Sequence, residues 1–465
     1  MVGEILNCFE ESPIKNGKLP QQWRDQSALD EFATFLQQNW EQRSVFFDDG
    51  KASSRQQFIG FSGQKGLRTN NYIGTVVFKG QQINIFPKVF REERHDNDTD
   101  QLELKHLMKN LVQWIQYCTR VEYPFVSISS QLEDSEDLKE LFITLYLYYV
   151  KSALEHGPFY RYVDKTEEVS TIKGQINFQD YICRKIPNGQ HHKFLCSFSE
   201  FEFDNTVNRI IKYTCRCLRN ATNSIENQKI IRWILIRLNE VSDVRCSPAD
   251  CDGIRLSKLH RQYAVLVSMS KMFLLNQTSA YTIDNQESFC FLFPTELLFE
   301  GFIGGYIKEV LHGQAKVRFQ ASELTLVSDV VYDGQSLGKA FTMRHDILVE
   351  HKDHGLFILD TKYKHMSRFE GNEDVKKSVT DEVSQSDLYQ MIEYASHRDI
   401  DNAYLLYPMY RFEETEPKDV ALERTSVSGK KIFIHVVRLP FVFEDDSERT
   451  KRNLTTTIQG IFSKT

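Results

Sequence analysis

Asp346, Asp360 and Lys362 stand within one short stretch, FTMRHDILVEHKDHGLFILDTKYK (341–364), at a spacing suited to metal-assisted phosphodiester hydrolysis. Residues 341–350 and 356–363 are rich in β-branched, aromatic and aliphatic side chains, and the segment between them ends in Gly355. The stretch therefore predicts a β-hairpin. Successive side chains of a strand point to opposite faces. Leu356, Ile358, Asp360 and Lys362 thus share one face, and Phe357, Leu359, Thr361 and Tyr363 share the other. A strand so apolar reads as a central one, where a carboxylate and an ammonium are costly to desolvate unless they pair or bind something. Asp346 and Asp360, from adjacent strands, can hold a hard divalent cation such as Mg²⁺, with the Thr361 carbonyl as a further oxygen. Lys362 beside them can orient or help deprotonate an attacking water and offset charge building on a phosphate. An ordinary Asp360–Lys362 salt bridge is the alternative use of the same residues.

The elements that must position these groups are legible on both sides. Upstream, 294–311 has Pro near a helix start and apolar residues at helical spacing, with Glu296 and Glu300 on one face, from which one of them can approach the metal. Downstream, 384–395 predicts a helix begun by Ser386 or Asp387, with Gln390 and Tyr394 stacked at i and i+4. Residues 402–408 form another buried-strand run, so the order is helix, strands, helix, strand.

That order, with LFEGF around Glu300, RHDIL around Asp346, ILDTKYK around Asp360 and Lys362, and DLYQMIEYA around Gln390, resembles the PD-(D/E)xK nuclease superfamily. More specifically it resembles the McrC subunits of McrBC-type modification-dependent restriction systems. His345 precedes the first aspartate where that family often has proline. The likeness extends through IGTVVFKGQQINIFPK (73–88), IKGQINF (172–178) and CSFSEFEFDNTVNRIIK (196–212), and so covers most of the chain. It implies a DNA endonuclease subunit in which Asp346, Asp360 and Lys362 are catalytic and Glu300 and Gln390 support them. The implied cofactor is Mg²⁺, with Mn²⁺ as a substitute. The implied partners are a McrB-like AAA+ GTPase ring, whose GTP hydrolysis this subunit stimulates, and modified double-stranded DNA. No G-x-x-x-x-G-K-[ST] phosphate loop occurs here, so the GTP belongs to the partner. Dimerisation of the nuclease domain is compatible with double-strand cleavage. Two other functions stay open: a non-catalytic adaptor of the GTPase ring, and a stand-alone RecB-like nuclease.

Whole-chain properties bound these readings. A chain of 465 residues suits two or three domains, and 41% hydrophobic with 26% charged residues is an ordinary globular composition. The apolar run 141–150 is about half a bilayer span and reads as a buried helix. An acidic N-terminus, MVGEILNCFEESP, lacks the features of a secretory signal, and nine scattered cysteines suggest no disulfide framework, so a cytoplasmic protein is expected. Neither Cys215 with Cys217 nor Cys246 with Cys251 is joined by a second pair at zinc-site spacing. The net charge of −7 weighs against strong autonomous DNA binding, although 339–368 carries six Lys or Arg against four acids.

The expected architecture is α+β and multidomain. Residues 1–100 form a β-rich partner-binding domain, with strands at 44–47 and 74–78 and a linker at 92–101. Residues 101–285 form a mainly helical middle domain, with helices at 104–115, 137–156, 205–220, 225–238 and 256–275, and a β interruption at 172–178 that pairs with the N-terminal sheet. Trp114 and Trp233 read as core residues on apolar helical faces. Residues 286–465 form the α/β PD-(D/E)xK nuclease domain with a mixed central sheet, closing with a strand at 430–440 and a terminal helix. Gly301, Gly304 and Gly305 beside Glu300 weaken a helix, which close packing, the favoured reading, or a close approach of DNA would offset.

Overall fold

Alternating apolar residues near the N-terminus build a sheet that is buried on both faces. The computed structural model describes residues 5–19, 23–41, 55–61, 66–91, 101–117, 138–254, 256, 260–279, 289–327, 329, 331–333, 335–336, 340–366, 372–411, 420–425, 429, 431–443 and 447–463. The strand expected at 44–47 lies outside these residues, as does the linker expected at 92–101 except for Gln101, which opens a helix. β1 (Ile5–Phe9) runs parallel to β3 (Gln81–Phe86), which pairs antiparallel with β2 (Tyr72–Phe78). The two-residue turn between β2 and β3 holds Lys79 at φ 49° and Gly80 at φ 72°, the left-handed pair that a type I′ turn requires. Val76, Ile83 and Ile85 pack with Trp23 and with Phe32, Leu36 and Trp40 of α1 (Gln26–Glu41). Ile73, Val77 and Phe86 face the main core instead.

The middle region is helical: α2 (Gln101–Tyr117), α3 (Leu138–His156), α4 (Thr206–Ala221), α5 (Ile225–Arg237) and α6 (Arg261–Ser279). The helix expected from Leu256 starts at Arg261. The apolar run 141–150 lies in α3, and no helix among the described residues is long and apolar enough to cross a membrane. β4 (Arg161–Val169) and β5 (Phe194–Glu202) form an antiparallel pair, and the short strand Gln175–Ile176 pairs with β5. This corrects the expectation that 172–178 joins the N-terminal sheet. Pairing with its own neighbouring hairpin closes a much shorter loop. The strand that does return to the N-terminal sheet is β6 (Phe289–Pro294), antiparallel to β2.

After β6 the chain forms α7 (Thr295–Val310), β7 (Ala315–Val327), β8 (Ala340–His351), β9 (Gly355–Thr361), α8 (Asn372–Glu382), α9 (Gln385–His397), β10 (Asn402–Met409), β11 (Val420–Thr425), β12 (Lys431–Pro440) and α10 (Ser447–Ser463). The strands make a six-stranded mixed sheet in the order β7-β8-β9-β10-β12-β11. β8 and β9 are the expected hairpin, turned at Gly355 with φ 83°, and β9 runs parallel to β10. β9 is central, as its near-continuous apolar sequence requires.

The two faces of β9 separate as strand parity dictates. Phe357, Leu359 and Tyr363 join Phe299 and Phe302 of α7 and Ile458 and Phe462 of α10, whereas Ile358 joins Met391 and Tyr394 of α9. At Gly304 of α7 a Cβ would run into the Phe319 ring of β7, so that glycine serves close packing. α2 docks on the exit of β12: the Trp114 indole N–H donates to the Phe441 carbonyl at 2.8 Å, and the two rings stack at 3.9 Å. Trp233 is only half-buried.

Candidate functional site

The carboxyl end of β9 carries the polar residues that the hairpin sequence singled out. Asp360 is 2% exposed, and Lys362 Nζ lies 2.6 Å from its Oδ2. The Lys362 amide donates to the Leu406 carbonyl at 2.8 Å, extending the parallel ladder beyond β9 and fixing the lysine backbone. Asp346 is brought in from β8. Its Oδ2 accepts from the Thr361 amide at 3.0 Å and the Thr361 hydroxyl at 3.2 Å. The structure thus gives Thr361 an anchoring role through these two groups.

Electrostatics sets this pair of carboxylates apart. Burial pushes Asp360 up to about 7, the nearby Asp346 charge adds to the shift, and Lys362 opposes it. Burial would lower Lys362, but Asp360, Asp387 and Asp346 outweigh that effect and hold it above the ordinary lysine range. Lys362 is therefore an ammonium at neutral pH. The half-buried Asp346 carboxylate and the buried Asp360 carboxylate repel one another, and a cation relieves that repulsion. Among the described residues no three His, Cys, Asp or Glu side chains form a metal-binding group. A divalent cation here would take the two aspartates and complete its shell with water, which suits Mg²⁺. The fully buried Tyr407 hydroxyl has no hydrogen-bond partner among the described residues. Its titration is shifted upward by burial first and then by the charge of Asp387. The donor chemistry fits the group.

The supporting residues are distributed differently from the sequence reading. Glu296 is exposed and accepts from the Asn71 side-chain amide at 3.1 Å, whereas Glu300 is buried and accepts from the Gln320 side chain. Gln320 lies on β7 between Phe319 and Ala321, which pair with Ile347 and His345 on either side of Asp346. It is held at φ 51°, beside the irregularity in the β7 ladder. Glu300 is therefore tied to the strand next to Asp346. Gln390 donates to the Tyr394 hydroxyl at 2.8 Å, which donates in turn to the Arg344 carbonyl at 2.8 Å. The Tyr394 ring stacks on His345 at 4.3 Å, so the histidine ahead of Asp346 joins β8 to α9. Gln390 thus braces the strand that carries Asp346.

Sequence reasoning missed Asp387 and Tyr407. Asp387 Oδ1 lies 3.5 Å from Lys362 Nζ, and its Oδ2 accepts from Lys364 at 3.2 Å. Burial would raise Asp387, but the Ser384 hydroxyl, Lys362 and Lys364 outweigh it and hold the carboxyl below its usual range. The α9 cap is Ser384, whose hydroxyl accepts from the Asp387 amide at 3.1 Å, so the helix begins earlier than at Ser386 or Asp387. Ser-x-x-Asp is a capping signature and could have revealed the start. The basic residues of the hairpin are also divided. Lys352, His351 and His354 sit at the turn, whereas Lys362 and Lys364 lie beyond Asp360, which is itself about 16 Å from Gly355 by strand rise over five residues.

The family model described as McrBC 5-methylcytosine restriction system component matches residues 67–408, a range that contains every residue of the site. No curated protein matches the chain. A chain in the refined half-complex from the tetradecameric assembly of Thermococcus gammatolerans McrB AAA+ hexamers with bound McrC has a TM-score of 0.63 at 15% identity. That likeness covers 98% of this chain and 100% of the other, and shows a shared fold. A chain in the cryo-EM structure of the Thermococcus gammatolerans McrBC complex has a TM-score of 0.49 at 16% identity, covering 68% of this chain and 90% of the other.

Proposed function

The chain belongs to the family of McrBC 5-methylcytosine restriction system components, and from that premise we propose that it is the McrC-like, DNA-cleaving subunit of a GTP-dependent restriction complex. The single observation that carries the reading is the gathering at the end of a central strand of Asp360, with Lys362 Nζ 2.6 Å away, and of Asp346, bonded to the Thr361 amide and close enough for its charge to raise Asp360. Helix, hairpin, helix and parallel strand follow one another around it, which supports a PD-(D/E)xK endonuclease domain.

In this reading Asp346 and Asp360 hold Mg²⁺, or Mn²⁺ in its place, with the Thr361 carbonyl as a further oxygen. The bound cation supplies Lewis-acid polarisation of the scissile phosphodiester. The chain's own groups do the rest. Thr361 fixes Asp346, so one carboxylate is in place before the cation arrives. Lys362, held charged by its acidic neighbours, orients the attacking water and offsets charge growing on the phosphate, and acts as a donor. Asp387, 3.5 Å from Lys362 Nζ, gives the lysine a second acidic partner and so would keep it in position with Asp360 engaged by a cation. Gln390 and Tyr394 brace β8, and Glu300 braces β7 through Gln320.

The solved complex that shares this fold is one of McrB AAA+ hexamers with bound McrC. The partner proposed here is accordingly a McrB-like AAA+ GTPase ring, reached through the N-terminal region, with modified double-stranded DNA as substrate. Plasmid cleavage in Mg²⁺ tests this, using the wild type and Lys362→Ala, with and without such a GTPase and GTP, on methylated and unmethylated DNA. Cutting that requires the partner, GTP and Lys362 is expected. Stimulated GTP hydrolysis without any cutting would make the chain an adaptor of the ring.

A further inference from the structure

Behind the site strand lies another buried acid, Glu10, which the proposed reaction does not use. It follows β1 and is fully buried, and its amide donates to the Phe86 carbonyl at 2.8 Å. Its carboxylate meets three segments that are far apart in sequence. Oε1 accepts from the Lys88 amide at 2.9 Å, just after β3. Oε2 accepts at 2.7 Å from the hydroxyl of Thr295, the first residue of α7, which also carries Glu300. The Tyr363 hydroxyl lies against the same carboxylate without a well-directed hydrogen bond. Lys88 completes the cluster, with Nζ 5.1 Å from the centre of the Tyr363 ring and paired to Glu11 at 2.7 Å.

Strand alternation gives this cluster its meaning. Tyr363 turns into the core behind β9, and Lys362, its immediate neighbour, turns toward Asp360 and Asp387 in front. Whatever fixes Tyr363 fixes the backbone from which Lys362 projects. The neighbouring parallel strands are held at the same end. Past β10 the Arg411 amide donates to the Val89 carbonyl at 2.9 Å. Past β12 the Phe443 amide donates to the Asn110 side chain at 2.7 Å, and that side chain donates back to the Phe443 carbonyl at 2.9 Å. Of these three anchors, only the one behind β9 contains a buried carboxylate, and burying one is unfavourable unless its oxygens are bonded.

We infer that Glu10 is a positioning residue: through Thr295, Lys88 and Tyr363 it ties the N-terminal sheet to the exit of β9 and so sets the position of Lys362. The inference deepens the nuclease reading and rests on it for its effect on catalysis. The tie itself is separately measurable. Hydrogen exchange of the full-length chain would be followed in the segment 360–364, in the wild type and in Glu10→Ala, Glu10→Gln, Thr295→Val and Val76→Ala.

Exchange in 360–364 is expected to rise on the order of tenfold in Glu10→Ala, ahead of the rest of the six-stranded sheet. Glu10→Gln, which keeps an acceptor for Lys88 and a polar partner for Thr295, should restore most of the protection. Thr295→Val removes one donor at nearly constant shape and should give the same pattern at smaller amplitude, even if Glu10→Ala fails to fold. Val76→Ala weakens the N-terminal sheet away from the cluster and should leave 360–364 unchanged. Unaltered exchange in Thr295→Val and Glu10→Ala, or a rise shared equally by the whole sheet, would overturn the inference. In DNA cleavage, Glu10→Ala should lower kcat on the order of tenfold with KM unchanged, as a small displacement of a catalytic group does. A wild type that does not cut removes the nuclease reading, while the exchange pattern still decides the tie.

Discussion

Asp360 and Glu10 are both buried carboxylic acids raised to about 7, and they lie on opposite sides of the same strand exit. Burial is the leading cause in each, but their neighbours differ in kind. Glu10 is surrounded by donors: the Lys88 amide, the Thr295 hydroxyl and the Lys88 charge all pull its titration back down. Asp360 faces a second carboxylate, Asp346, which pushes its titration further up, and its one strong partner is the Lys362 ammonium. A buried acid whose oxygens are met by fixed donors is a structural joint. One set against another acid is a place prepared for a cation. A raised titration alone does not tell them apart, because desolvation dominates both; the charges and donors around each do.

The largest expected effect falls on the front of the strand. Lys362→Ala should lower the cleavage rate by about 10²-fold or more, the scale of losing one charged donor to a transition state, while folding and divalent-cation binding remain. A Lys362→Ala protein that cuts at the wild-type rate would reduce the pair to the ordinary salt bridge that the sequence also allowed.

A second contrast is in pH. Both acids titrate higher in the native chain than in the unfolded one, so between about pH 4 and 7 the native state binds more protons. Their contribution to stability is therefore fully present below the unfolded values and is lost as pH rises through about 7. The thermal midpoint should fall from pH 5 to pH 8, with a smaller fall in Asp360→Asn and in Glu10→Gln. Magnesium at pH 8 should recover part of the loss in the wild type and in Glu10→Gln but not in Asp360→Asn. Equal recovery in all three would erase the distinction between joint and site.

Smaller effects test the scaffold. Gly304→Ala forces a methyl group against the Phe319 ring and should destabilise the fold by about 1–3 kcal/mol, read from chemical denaturation. A neutral substitution would mean that α7 and β7 separate easily. Ser384→Ala removes the cap of α9 and one neighbour of Asp387, and should cost about 1 kcal/mol, with cleavage reduced less than in Lys362→Ala.

Both faces of β9 were legible in the sequence, but the partners that meet them were not. Alternation alone assigned Phe357 and Leu359 to one core and Ile358 to the other, and the apolar run marked β9 as central. The resemblance carried by the motifs around Glu300, Asp346, Asp360 and Gln390 identified the family that the match over 67–408 shows. Asp387 reads as one more acid in a helical segment, because its pairing with Lys362 and Lys364 exists only once α9 packs beside β9. Glu10 is further from view, since its bond to Thr295 spans 285 positions. The i, i+4 spacing set Gln390 beside Tyr394, as their hydrogen bond bears out, but the onward bond from Tyr394 to the Arg344 carbonyl spans 50 positions and exists only once α9 packs on β8. Local patterns fix which face a residue takes, whereas the partner across that face comes from tertiary packing.

Calorimetric titration of Mn²⁺ at pH 8 into the wild type, Asp346→Asn, Asp360→Asn and Glu10→Gln tests the central distinction most directly. Binding in the wild type and in Glu10→Gln, with loss in both aspartate variants, is the expected result. Undiminished binding in the two aspartate variants would show that the cation is held elsewhere and would contradict the assignment of Asp346 and Asp360 as the metal-dependent site.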